Sequence, residues 1–175
     1  MLLSAHATWT EQAQRLMRDH IALAEPMVFL LGFCESIAFV SLFVPSSVLF
    51  LAIGGMHSAA GGAFWTTWLA GAFGAFLGDI VSYFAGRYFK NDIGQVWPFS
   101  KNPEWYVAAV GFFKKWGVLS VVGGKFLGFM RPFLPVVAGA MQMPFPLFLL
   151  ASALSSLAWA GVFLAPGYGL TWLMK

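Results

Sequence analysis

GKFLGFMRPFLPVVAGAM, residues 124–141, is the stretch on which the fold turns. It is apolar enough for a bilayer, yet it holds Lys125, Arg131, Pro132 and Pro135. A proline inside a helix removes one hydrogen bond and disfavours helix in the residue before it. A charge at the centre of a spanning helix costs roughly 2.5–3.5 kcal/mol on the insertion scale. Two half-length helices meeting at a break fit residues 117–143 better than one straight span. In lipid such a break survives only when it is buried in protein or lines a water-filled cavity.

The same plan stands in the first half. Residues 27–57 are apolar but broken by Glu35, Pro45-Ser46-Ser47 and Gly54-Gly55. Glu35 precedes Pro45 by ten residues, and Lys125 precedes Pro135 by ten. Each break leads to a Gly/Met patch (Gly54-Gly55-Met56; Gly139-Ala140-Met141) and then to a long aromatic-rich span, 63–86 and 145–172. Paired, Pro-interrupted apolar segments in corresponding positions point to a transporter site at a repeat interface. One hairpin plus one span crosses the membrane an odd number of times, so the two halves are expected to be inverted.

Composition agrees. Of 175 residues 59% are apolar and only 10% charged, against about 25% charged in a soluble domain; mean hydropathy is +0.76. Residues 36–78 and 132–174 are two charge-free runs of 43 residues each. A span needs about 20 apolar residues, so each run exceeds one span and falls short of three. These numbers exclude an ordinary cytosolic enzyme and a disordered tail. Ten basic against seven acidic residues are too few for a nucleic-acid stripe. The single cysteine, Cys34, excludes an intramolecular disulfide and a multi-Cys zinc site. With no HExxH, no P-loop and no Ser-His-Asp set that can be brought together, the chain is expected to be no enzyme and to need no cofactor or metal.

The expected fold is an all-α integral membrane protein: an inverted repeat of re-entrant helical hairpin plus transmembrane helix, preceded by an amphipathic interfacial helix. Residues 1–26 form that interfacial helix. Thr8 and Glu11 make a capping box, Trp9, Leu16, Met17 and Leu23 follow at helical spacings, and Pro26 closes it. The single membrane domain is 27–175, with 27–86 as first repeat, 87–116 as polar connection and 117–175 as second repeat. Within the connection, Asn102-Pro103 starts a short amphipathic helix through Trp105, Val107 and Phe112. Its five Lys/Arg, against Arg15, Arg18 and Lys175 at the ends, vote for a cytoplasmic connection.

Cost selects the candidate site. Unpaired, Glu35, Lys125 and Arg131 together would cost about 8–10 kcal/mol in the membrane, so each needs a partner or a use. The first half supplies the acid and the second the bases. Glu35 is expected to pair with Lys125 or Arg131 around a midplane cavity, and to be the group that exchanges a proton. Arg131, with its bidentate fork, is the better phosphate ligand. The alternatives are a Glu35 in the headgroups, a snorkelling Lys125 and an Arg131 that caps a helix. Asp79, eight residues before Arg87 on one helix, fits a cavity or a partly exposed structural role. Tyr83 reads as an interface anchor, His57 as solvent-exposed, and Cys34 as core filler.

Gly78-Asp79-x-x-x-Tyr83-x-x-Gly86-Arg87, the Glu35…Pro45 segment, and Gly124-Lys125-Phe126-x-x-x-x-Arg131-x-x-x-Pro135 with Ala138-Gly139 and Met141 together resemble the DedA family. That family sits in the SNARE-associated Golgi (VTT-domain) superfamily, and the resemblance covers roughly residues 27–172. It implies a multi-pass bacterial inner-membrane lipid transporter, a flippase or scramblase, with two oppositely entering re-entrant hairpins. Members are linked to returning undecaprenyl phosphate across the membrane, others to phospholipid movement, and some to the proton-motive force. The partners implied are therefore an anionic lipid headgroup and protons; small-residue surfaces also permit a homodimer. The resemblance carries the functional role to Glu35, Lys125 and Arg131, with Asp79 and Arg87 in the shared element and Pro45, Ser47, Pro132 and Pro135 at the hairpin breaks. The chain departs from the family in having Ser47 where many members have an acid, and Lys125 where many have arginine. The first departure weakens proton coupling; the second keeps the charge and loses the fork. Two other classes remain open: a non-transporting membrane assembly factor and a proton-coupled small-solute transporter.

Overall fold

The computed structural model describes residues 23–37 and 46–173 of the chain. The interfacial helix assigned to residues 1–26, with its Thr8–Glu11 box, lies almost wholly outside them, as does Pro45. Among the described residues the protein is all helix, without strands. Helix α1 covers residues 23–36 and is followed by α2 (Ser46–Ala59), α3 (Phe64–Phe89), α4 (Pro103–Trp116), α5 (Val118–Gly124), α6 (Phe133–Ala140) and α7 (Phe145–Leu173). Short 3-10 turns occupy Lys90–Gln95 and Gly128–Met130. Among the described residues two helices, Phe64–Phe89 and Phe145–Gly169, are long and apolar enough to cross a membrane. Helix α4 and helix α5 meet at a 120° bend, at Gly117, whose φ of +54° suits glycine.

Where these elements stop follows from local chemistry. Pro103 opens α4 at a position that needs no N–H. Pro132 lies just ahead of α6, and Pro135 falls in its first turn, where backbone N–H groups have no intrahelical partner anyway. Both prolines therefore stand where helix resumes after the interruption between α5 and α6. Pro26 does not close its segment, because the helix runs on through it to residue 36. Pro166 likewise sits inside α7 rather than ending it.

The spans are the frame on which the shorter helices lie. Gly74 and Gly78 of α3 face the carbonyls of Phe29 and Phe33, and Ser82 donates to the Ser36 carbonyl at 2.8 Å. Helix α1 therefore runs beside α3 in the same direction. Gly86 and Gly139 do the equivalent for α6: a Cβ on Gly86 would land on the Val136 carbonyl, and one on Gly139 on the Tyr83 carbonyl. A Cβ on Gly139 would also lie 2.9 Å from the Arg87 nitrogen, so α6 crosses the last turns of α3 main chain to main chain. Phe50 packs on Trp159 with ring centroids 4.9 Å apart, and Gly54 lies against Leu164, which sets α2 beside α7. Because Gly86 meets backbone rather than a movable side chain, Gly86→Val is expected to cost about 3 kcal/mol or more. A thermal melt in detergent checks this, and a melt like wild type would show that α3 and α6 do not touch there.

Three apolar clusters fill the remaining space. One joins Val28, Phe50, Ala72, Ala75, Trp159, Ala160 and Leu164. A second joins Tyr83, Val121, Ala138, Met143, Phe148 and Ala151. The third packs Ile93, Phe99 and Ala109, all from the connection read as polar, onto Phe133, Val136 and Val137 of α6. The connection is thus polar in composition but anchored by its few large apolar side chains.

Candidate functional site

Glu35 ends the last turn of α1 and Arg131 stands just before α6. The two form an ion pair through Glu35 Oε1 and Arg131 Nη1, with exposures of 6% and 8%. The guanidinium lies 4.0 Å from the ring centroid of Trp159 on α7, an arrangement that attracts a cation to the indole face. Of the two pairings open for Glu35, the structure makes the one with Arg131. The pair leaves groups over: among the described residues, Glu35 Oε2, Arg131 Nε and Nη2, Trp159 Nε1 and the neighbouring Ser36 Oγ are buried without a hydrogen-bond partner. Native proteins rarely leave buried polar atoms unpaired, since each forfeits its hydration.

Lys125 is held elsewhere. It caps α5 and pairs with Asp79 of α3, and it donates to Ser156 Oγ at 2.7 Å. Ser152 donates to the same Asp79 oxygen at 2.7 Å, and Ser155 bonds the Ser152 carbonyl. Asp79 and Lys125 are 3% and 5% exposed, and neither has an unpaired buried atom among the described residues. Asp79 is therefore buried, and Lys125 does not snorkel. Two ion pairs thus tie the second broken segment to α1 and α3, one of them complete and one not.

The other candidates stand apart. Arg87 is exposed at the end of α3 and donates to Tyr83 Oη at 2.9 Å. Tyr83 is fully buried and donates in turn to the Met143 carbonyl at 2.5 Å. The interface anchor expected at Tyr83 is instead a core residue that fastens the α6–α7 turn to α3, and Arg87 completes that clasp rather than joining the buried pairs. Ser47 lies in the first turn of α2. His57, expected in solvent, is 3% exposed. Its Nδ1 meets Thr67 Oγ1 at 2.5 Å and Tyr168 Oη at 3.2 Å, so hydroxyls from α3 and α7 replace water.

The sequence reading missed Ser152, Ser155, Ser156 and Trp159. The serines' spacing of three and four residues, which puts them on one helical face, is the signal that would have found them. Among the described residues, no group of His, Cys, Asp and Glu could hold a metal ion. The arrangement can bind an anion at Arg131, in a setting where charge counts for more than in water.

A family model described as the VTT domain matches residues 44–169. The Inner membrane protein YabI of Escherichia coli is 31% identical over 80% of this chain and 55% of its own length. An Uncharacterized membrane protein of Buchnera aphidicola, BU139, is 31% identical over 81% of this chain and 55% of its own. The Inner membrane protein YghB of Escherichia coli is 28% identical over 87% and 74% respectively. The chain spans 55–60% of the length of the first curated relatives it matches. No solved structure matches it.

Proposed function

We propose, from the premise that the chain belongs to the VTT-domain (DedA) family, that it moves a phosphate-bearing lipid across the bacterial inner membrane as a flippase or scramblase. The observation that carries the reading is the buried, incompletely satisfied Glu35–Arg131 pair between two broken apolar segments. A chain with two long apolar helices has no reason to hold a half-paired guanidinium in its interior unless something else takes the remaining donors. A phosphate oxygen fits them in charge and geometry.

In this reading residues 27–57 and 117–143 are re-entrant hairpins that enter from opposite faces, and the two halves form an inverted repeat. What supports this is direction. Helix α1 runs with α3, whereas α7, with Phe148 at Tyr83 and Ser152 at Asp79, runs against it. Val121 clusters with Phe148 and Ala151, while Lys125, four residues on, reaches Ser156, so α5 runs with α7. The headgroup occupies the space between the hairpin ends while its acyl chains stay in the bilayer. Arg131 binds the phosphate and Glu35 competes for the guanidinium when the site is empty, returning it to rest. A proton on Glu35 modulates that competition. Lys125, already bonded to Asp79 and Ser156, steadies the hairpin end and adds positive charge without direct contact. No catalytic step is required of any residue. The names of YabI and YghB, each an inner membrane protein, support the location.

The test is translocation by purified protein in liposomes, comparing a labelled polyprenyl phosphate with a labelled phospholipid. Movement of either above protein-free vesicles is expected. Movement of neither by folded protein would overturn the reading in favour of an assembly factor, which the fully satisfied Asp79–Lys125 pair would also suit.

A further inference from the structure

The unpaired atoms around Arg131 are not all of one kind. Three are donors: Arg131 Nε and Nη2, and Trp159 Nε1. One, Glu35 Oε2, is a carboxylate oxygen and can only accept, and the neighbouring Ser36 Oγ can do either. Glu35 and Trp159 both touch the same guanidinium, one through the ion pair and one through the indole face. An anion that offers acceptor oxygens alone would satisfy the donors and bring negative charge toward Glu35 Oε2, where like charges repel.

From this mixture, and resting on the lipid-transport reading, we infer that the site selects headgroups carrying both an oxyanion and a hydrogen-bond donor beside it. The oxyanion takes the free guanidinium edge, and the donor goes to Glu35 Oε2. Trp159 is a recognition residue of the same site, through its unpaired Nε1–H and through the ring that holds the guanidinium. Two kinds of lipid carry this chemistry: a phosphomonoester with one protonated oxygen, and a phosphodiester bearing an ammonium group. A trimethylammonium headgroup has the same charges as the second and no donor.

The experiment compares three labelled lipids in liposomes: a polyprenyl monophosphate, phosphatidylethanolamine and phosphatidylcholine. Wild-type protein is expected to move at least one of the first two roughly tenfold faster than phosphatidylcholine, about 1.4 kcal/mol of discrimination. Which of the two moves tells whether the donor is a P–OH or an ammonium. Glu35→Gln keeps an acceptor for Arg131 but presents an amide N–H in place of Oε2, so the preference should shrink to threefold or less. Trp159→Phe keeps an aromatic face for the guanidinium and loses the donor, and should slow every lipid several-fold without altering their ratio. Equal wild-type rates for all three lipids overturn the donor rule while leaving lipid transport intact. An unchanged preference in Glu35→Gln, or unchanged rates in Trp159→Phe, overturn the parts assigned to those residues. Movement of none of the three removes the transport reading and this inference with it. The wild-type comparison decides the rule even where a variant fails to fold.

Discussion

Asp79→Ala should lower the unfolding free energy by about 3–5 kcal/mol, because truncating one member of a buried ion pair strands the other. Lys125 is left without its hydrogen-bonded counter-charge at 5% exposure, with the Ser156 hydroxyl as its remaining partner among the described residues. The cost is one of burial rather than of lost attraction, and a double variant separates the two. Asp79→Leu with Lys125→Met removes both charges at similar volume, and such replacements are commonly neutral or stabilising. The double variant should therefore recover most of the loss, unfolding within about 1 kcal/mol of wild type. Chemical unfolding in mixed micelles measures all three proteins. If the double variant is as unstable as Asp79→Ala, Ser152 and Ser156, which would then lack partners, matter more than the charges.

Arg131→Lys is the second large effect, and it falls on activity rather than on stability. Lysine keeps a positive charge for Glu35, so the fold should survive with a melting temperature close to that of wild type. It removes Nε and Nη2, the two donors that the ion pair leaves free. Two charge-assisted hydrogen bonds at about 1.5–3 kcal/mol each imply a loss of at least two orders of magnitude in lipid translocation. Arg131→Ala should abolish translocation outright and also strand Glu35, so its melt should fall as well. Wild-type translocation by Arg131→Lys would show that the guanidinium edge does not meet the headgroup.

The charges that matter were visible in the sequence because their cost is independent of the fold. Glu35, Lys125 and Arg131 stand out in any apolar run. The long helices were equally plain, since the charge-free runs and the glycines of 63–86 leave few other solutions. Which acid meets which base was not legible. It depends on depth along α3, and a shift of one turn would have put Asp79 beside a different partner.

Polarity carried by small side chains was harder still. Ser152, Ser155 and Ser156 read as ordinary residues of an apolar span, although together they line the buried face that receives Asp79 and Lys125. His57 was read as exposed because it follows Gly54-Gly55-Met56 near a helix end. The hydroxyls that bury it come from positions 10 and 111 residues away, beyond the reach of local patterning. The connection 87–116 misled for the opposite reason: average polarity concealed Ile93 and Phe99, which pack into a cluster with α6.

The contact between Gly86 and Val136, and between Gly139 and Tyr83, has a mechanical meaning. Side chains in contact can slide by changing rotamer, whereas main chain against main chain has no such freedom, and the ångström that separates sliding from collision is absent. Helix α6 and the last turns of α3 therefore behave as one lever. Any movement that carries Arg131 toward or away from Glu35 has to pivot elsewhere, and Gly128, with its φ of +37° three residues before Arg131, is a joint placed to allow it.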